Sequence, residues 1–165
     1  MGSPVTTLES NEIMSDDLGW LLSHTSHGLA VEQTARLESL GIAPRGYCVL
    51  QAALKGEFTQ GEIGQAIGVD KTTMVVTLDH LEEAGLAERT PSKTDRRARV
   101  ITVTAKGRKK VAEAEVVTKK LYEEVLAELN DDQREVLLGA LNQLQCGSLA
   151  GNSPCQQRPR RRAPR

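Results

Sequence analysis

From Asp16 onward, Leu18, Leu21, Leu22 and Leu29 recur at spacings that keep them on one helical face, predicting a long first helix to about residue 40. Gly41 ends it. Pro44, tolerated in a first helical turn, opens a second helix running to about Leu54, and Gly56 stops that one. Thr59-Gln60-Gly61-Glu62 has the form of a capping box, in which hydroxyl and carboxylate satisfy orphan amides, and it predicts a short helix to Ile67. Gly68-Val69 reads as a tight turn. Asp70 then caps a helix whose Met74, Val75, Leu78 and Leu81 form one apolar stripe, closed by Gly85. Two short helices joined by so brief a turn are the helix-turn-helix pattern.

After Gly85 the period switches from helical to alternating. Leu86 to Arg89 and Arg99 to Val103 are β-compatible, the second alternating Val100, Thr102 and Thr104 against Ile101 and Val103. The nine residues between them contain Pro91, Ser92, Asp95 and basic side chains, so the segment predicts a hairpin with a charged tip, a wing. Thr104 caps a long helix carrying Val111, Ala114, Leu121, Tyr122, Val125, Leu126 and Leu129 at helical spacing. Asn130 to Gln133 forms a second capping box, opening a last helix with Val136, Leu137, Leu141 and Leu144.

The fold class expected is mainly α with a small β-hairpin wing, a winged helix-turn-helix with a helical dimerisation region. Its parts are a disordered segment at 1–15, one domain at 16–146 and a disordered Arg-rich tail at 147–165. Within the domain, a DNA-binding lobe is expected at about 43–104. Dimerisation helices are expected at about 16–40, 105–129 and 131–145, because their stripes exceed what one small lobe can cover.

Composition adds little until it is divided along the chain. Net charge is -1, yet Arg89 to Lys110 holds nine basic residues against Asp95 alone, and the tail adds five arginines from Arg158. The rest of the chain carries 7 basic and 21 acidic residues. An acidic body with one concentrated basic segment is the pattern of a protein that presents one surface to a polyanion. Whether the Arg-rich tail adds nonspecific DNA affinity or is a reading-frame remnant stays open. No run of 18 apolar residues and no basic-then-apolar leader occurs, so no membrane partner and a cytoplasmic location are expected. Cys48, Cys146 and Cys155 show neither a C-x-x-C spacing nor matching His pairs. No cofactor or metal is expected, and the absence of a G-x-S-x-G, a phosphate-binding Gly loop or paired carboxylates argues against an enzyme.

Asp95-Arg96-Arg97, followed by Val100-Ile101-Thr102-Val103-Thr104-Ala105-Lys106-Gly107 and preceded by Leu81-Glu82-Glu83-Ala84-Gly85-Leu86, resembles the wing and flanking helix ends of the MarR (multiple antibiotic resistance regulator) family. The resemblance spans about residues 16–146. It implies an obligate homodimer built from the first helix and the last two, with paired recognition helices in successive major grooves of double-stranded DNA. It also implies frequent control by a small molecule or an oxidant.

The residues themselves support a DNA interface. Opposite its apolar stripe, the 70–84 helix carries Thr72, Thr73, Val76 and His80, with Lys71 and Thr77 at the margins, and short hydroxyls near a helix N-terminus reach base edges or phosphates. The competing reading is a plain solvated helix face. Val76 stands where several family members place a base-reading Arg, so contact with a thymine methyl is the expected substitute. At the wing, Arg97 is the first choice for a minor-groove contact, oriented by Asp95, while Lys93, Arg96 and Arg99 are either further contacts or solvated charges.

A ligand pocket between the two regions is assigned to Trp20, His24, His27, Arg45 and Tyr47, with Arg45 meeting a small aromatic or anionic effector. His24 and His27 share a helical face, but without a third ligand they read as ordinary polar histidines. Cys48, in the apolar stretch Tyr47 to Leu50, is expected to be a buried inert thiol, with a redox switch as the alternative. The functional expectation is a repressor of a pseudo-palindromic operator, released by an effector. The alternatives are a thiol-sensing regulator acting through Cys48 and a winged-helix protein-interaction module without DNA contact.

Overall fold

The computed structural model describes residues 16–92, 98–147 and 149. Its elements are α1 (Leu18–Glu38), α2 (Pro44–Ala53), α3 (Gln60–Ile67), α4 (Lys71–Glu83), β1 (Ala87–Pro91), β2 (Arg99–Val103), α5 (Ala105–Leu126) and α6 (Asp131–Cys146). The helix starts follow side-chain chemistry visible in the sequence. Asp17, Thr59, Asp70, Thr104 and Asn130 each accept a backbone N–H at their N-caps, and Thr59–Glu62 and Asn130–Gln133 close full capping boxes. Between α3 and α4, Gly68 sits at φ 70°, a left-handed conformation that costs glycine nothing, and the chain turns there within three residues.

One core gathers the inner faces of all elements but α6. Leu37, Ile42, Val49, Leu50, Ile63, Met74, Leu78 and Leu81 meet Leu86, Ala87, Ile101 and Val103 of the hairpin and Val111 and Ala114 of α5. Each fully buried leucine among them contributes roughly 1.5–3 kcal/mol of transfer free energy. The apolar stripe of α4 is narrower than expected, because Val75 is exposed.

The hairpin pairs Ala87 with Val103 through to Pro91 with Arg99, so the first strand runs two residues further toward the tip than predicted and Leu86 is left as a buried plug before it. In β2 both Val100 and Ile101 are buried, which breaks the expected alternation. The reason lies on the other edge of the strand. Phe58–Thr59 runs alongside it, with a bridge from Thr59 to Val100 and the Ile101 N–H donating to the Phe58 carbonyl at 3.0 Å.

The hairpin and α4 are joined tightly to the start of α5. Thr104 Oγ1 donates to the Gly85 carbonyl at 2.8 Å, and Lys106 Nζ donates to that of Ala84 at 2.7 Å, satisfying acceptors at the end of α4. A Cβ at Gly107 would stand 2.0 Å from the Leu86 carbonyl oxygen, so only glycine permits this approach.

Beyond this junction the packing changes. α6 buries no residue, α1 buries only Leu37, and Leu18, Leu21, Leu22, Val136, Leu137, Leu138, Leu141 and Leu144 are exposed. Arg36 bridges α1 to Glu124 of α5 at 2.7 Å, and Arg134 Nε donates to the Leu126 and Leu129 carbonyls, fixing the turn into α6. Among the described residues no helix is long and apolar enough to cross a membrane, and no group of three or more His, Cys, Asp or Glu gathers that could hold a metal ion. The expectations for 1–15, for 93–97 and for 150–165 lie outside the described residues.

Candidate nucleic-acid interface

α4 presents three faces. Met74, Leu78 and Leu81 enter the core, Val75, Asp79 and Glu82 lie along one edge, and Lys71, Thr72, Val76 and His80 are exposed on the side away from the core. Thr73 and Thr77 are half-buried beside them. The helix starts on Asp70, whose Oδ1 accepts the Thr73 N–H at 3.0 Å and whose Oδ2 accepts the Thr73 hydroxyl at 2.6 Å. Those hydrogen bonds, the hydroxyl first, hold the Asp70 carboxyl below its usual range and keep it charged. Thr77 Oγ1 donates to the Thr73 carbonyl at 2.8 Å. Two of the three threonine hydroxyls therefore commit their proton inside the helix, and what they present outward is acceptor capacity, suited to a base amino group rather than to a phosphate.

A groove of about 410 Å3 runs beside this face, between α4 and the turn into α2, lined by Arg45, Thr72, Thr73, Val76, Thr77 and His80 among others. Arg45 is the notable occupant. It stands exposed in the first turn of α2, so the residue assigned to the ligand pocket shares a groove with α4 instead. Tyr47, two positions on, takes the opposite side of the same helix and is buried, its hydroxyl accepting from Gln51 Nε2 at 2.7 Å. Burial, with the Glu115 carboxylate adding to it, pushes the Tyr47 phenol up. Thr118 of α5 is buried close by, its Oγ1 lacking a hydrogen-bond partner of good geometry among the described residues, and Gln33 Nε2 reaches the Tyr122 hydroxyl at 3.4 Å. Trp20 and His24 stack on each other at 4.0 Å near the start of α1, and His27 is exposed one turn on. The five proposed pocket residues thus divide, because helix periodicity gives a residue's face but not which neighbour that face meets. Gln33, Gln51, Thr118 and Tyr122, polar groups near Tyr47 where α1, α2 and α5 meet, did not stand out in the sequence for the same reason.

Cys48 corrects an expectation. It is exposed, on the rim of a groove between α2 and α3 with Ala52, Phe58, Ala66 and Ile67, not buried. The apolar residues of its sequence neighbourhood, Val49 and Leu50, face the core on the other side of the helix. Local desolvation of the sulfur still pushes the thiol up, only partly opposed by Arg45, so the thiolate is disfavoured.

Lys93, Asp95, Arg96 and Arg97 lie outside the described residues. Arg99 is exposed at the tip end of the paired strands, opposite Pro91. Not all of the positive charge around it is open to a ligand. Arg89 pairs with Glu82 and Asp79, Lys110 with Glu113 at 3.0 Å, and Lys106 lies on the Ala84 carbonyl.

Comparison with known proteins gives this geometry its context. Residues 40–98 match the sequence profile of the MarR family. A MarR-family transcriptional regulator from Rhodococcus sp. RHA1 has a similar structure, at 25% identity and a TM-score of 0.74 over 82% of this chain and 98% of that one. The transcriptional repressor CouR bound to a 23-mer DNA duplex matches at 26% identity and a TM-score of 0.75, over 84% and 99% of the two chains. CouR from Rhodococcus jostii RHA1 bound to p-coumaroyl-CoA matches at 26% and 0.73, over 82% and 96%. A capped helix-turn-helix, a hairpin wing and long flanking helices, in this order, give the chain the winged-helix fold of these MarR-family transcriptional regulators, and residues 40–98 carry the family's sequence match.

Proposed function

We propose that the chain acts as a homodimeric repressor that binds a pseudo-palindromic operator and releases it when a small aromatic or anionic effector binds. The carrying observation is the α4 face of Lys71, Thr72, Thr73, Val76, Thr77 and His80, set on a capped helix and turned away from the core. Inserted in a major groove, it offers the Thr73 and Thr77 acceptors to base amino groups and the Val76 side chain to a thymine methyl. Arg45, across the groove from this face, is assigned to a flanking phosphate. Arg97, oriented by Asp95, is assigned to the minor groove, with Lys93, Arg96 and Arg99 adding phosphate contacts. The second copy of the chain covers the exposed leucines of α1 and α6, since exposed apolar stripes of this extent mark an interface. Two-fold symmetry then sets half-sites about one helical turn apart, ~34–36 Å.

The effector is assigned to the α1–α2–α5 junction, where Tyr47, Gln51, Thr118, Gln33 and Tyr122 supply polar groups between the helix-turn-helix and the long helices. Binding of p-coumaroyl-CoA by CouR supports an aromatic, anionic class of ligand. Selection of bound duplexes from a random pool tests the reading, and a symmetric repeated motif is expected. On the selected site Arg97→Ala should weaken binding by about 1–3 kcal/mol per contact, while Lys119→Ala on α5 should bind almost normally. Equal losses would mean that only net charge matters. Failure to bind any duplex at low salt would favour a protein-interaction module.

A further inference from the structure

Arg89 counts toward the basic wing segment by sequence, but its side chain turns onto α4 and is committed to two carboxylates there. It sits in the middle of β1, opposite Ile101, and crosses to α4. There Nη1 donates to Glu82 Oε2 and Nη2 donates to Asp79 Oδ1 at 2.7 Å. Its own backbone N–H donates to Glu82 Oε1 at 2.8 Å, and Nη2 approaches the Val75 carbonyl at 3.5 Å. Val75, Asp79 and Glu82 follow one another at spacings of four and three, so the guanidinium lies along a single edge of α4, beside the face of Thr72, Val76 and His80.

Two carboxylates neutralise one guanidinium here, leaving no surplus charge for a phosphate. The side chain is 26% exposed and Glu82 32%, against 51% for Asp79, so the Glu82 arm of the planar fork is the one held by partial burial and the Asp79 arm the weaker. A hairpin of two five-residue strands has little rigidity of its own, so its angle depends on what it is fastened to.

We propose that Arg89 is a positioning residue that latches the wing to the recognition helix through Glu82 and Asp79, and so sets the register between contacts made by α4 and contacts made by the wing tip. The inference rests on the DNA-binding reading above for its consequence, though not for the latch itself. With the latch closed, major-groove and minor-groove contacts are reached in one rigid docking. With it open, each is still present but their offset is held only near the hairpin's base, by Thr104 and Lys106, so the tip gains play and the loss falls on discrimination and not on charge.

The test uses the full-length protein and three variants, Arg89→Ala, Arg89→Lys and Glu82→Gln. Binding is measured to the selected operator, to the same operator with G·C-substituted flanks, and to an unrelated duplex, each over a range of salt. Discrimination between the first two should fall about tenfold in Arg89→Ala, a small part of the usual specificity ratio. Affinity for the unrelated duplex and the log-log salt slope should stay as in the parent. Arg89→Lys keeps the charge but loses the fork, and should discriminate nearly as poorly as the alanine variant. Full rescue by lysine, or a slope shallower by about 1 per protomer, would make Arg89 a phosphate contact and overturn the latch.

Amide hydrogen exchange without DNA keeps the two readings apart. Exchange across Ala87–Thr90 should quicken in Arg89→Lys and Glu82→Gln while the Val49–Leu50 core amides stay protected. If exchange there is unchanged, the latch is refuted, whatever the DNA result. If the parent binds no duplex while exchange quickens as expected, the latch stands and the DNA reading falls.

Discussion

The helical arm is richer in leucine than the winged-helix lobe, yet it buries fewer of its leucines. In the lobe, Leu50, Ile63, Met74 and Leu78 are all but inaccessible, and α2, α3, α4, the hairpin and the first half of α5 cover one another. In the arm, α6 has an apolar stripe and no buried residue, and α5 changes character along its length, with Val111 and Ala114 buried but Tyr122 and Val125 exposed. The same long helix therefore belongs to a finished core at one end and to an unfinished one at the other. A helix with an apolar stripe is stable in water only if something covers the stripe. The lobe supplies its own cover, and the proposed second copy supplies the arm's.

The strongest way to break this contrast is to put charge on the arm. Leu141→Glu on α6 should separate the protomers and weaken operator binding by about a hundredfold or more, the gain that coupling two half-sites provides. Light scattering of the variant should show chains of 17.9 kDa, and the parent should show twice that mass at micromolar concentration. A parent that is a compact, folded monomer would remove the basis for the comparison. Next in size is the lobe. Leu50→Ala should cost about 2–5 kcal/mol in denaturant unfolding while leaving the association state intact, since the cavity opens inside one chain. Dissociation on making that change would place Leu50 in the wrong region.

Gly107→Ala probes the seam between the two regions. The added methyl meets the Leu86 carbonyl, so α5 must move away from the hairpin, at a cost of about 1–3 kcal/mol. Melting temperature and operator affinity should fall together, because the displaced helix carries both the core and the arm. An unchanged melting temperature would show that the seam tolerates a shift without cost.

The smallest effect concerns acid. Glu62 is held below its usual range by the Thr59 backbone N–H and then its hydroxyl, Asp70 by the Thr73 hydroxyl, and Glu124 of the arm by Arg36. A carboxylate depressed in the folded state stabilises fully above its unfolded value, about 4. That contribution fades as pH falls through the lower folded value. Below pH about 4 the parent should therefore lose stability, and Asp70→Asn, which still caps but does not titrate, should show a shallower acid limb in thermal melts. An identical limb in the variant would mean that Asp70 contributes nothing to the acid response. All three groups are exposed, so the differences should be modest.

How legible the molecule is in its sequence varies with the range of the interaction. The caps at Thr59, Asp70, Thr104 and Asn130, the turn at Gly68 and the exit at Gly85 stand where local chemistry puts them, since each needs only residues within three or four positions. The outward face of α4 followed from the helical period for the same reason. The burial of Val100, the inward turn of Arg89 and the separation of Arg45 from Tyr47 did not follow. Each depends on a neighbour far along the chain: Thr59 beside Val100, Glu82 and Asp79 around Arg89, and α4 across the groove from Arg45.

The sequence by itself thus determined the order of elements, the starts of the helices and broadly which side of each is apolar, because periodicity and capping are properties of short windows. Tertiary structure alone decided which apolar sides face each other within one chain and which remain bare, and which basic residues keep their charge for DNA. Those are pairings between distant segments, and a one-dimensional pattern states that a face must be covered without stating by what.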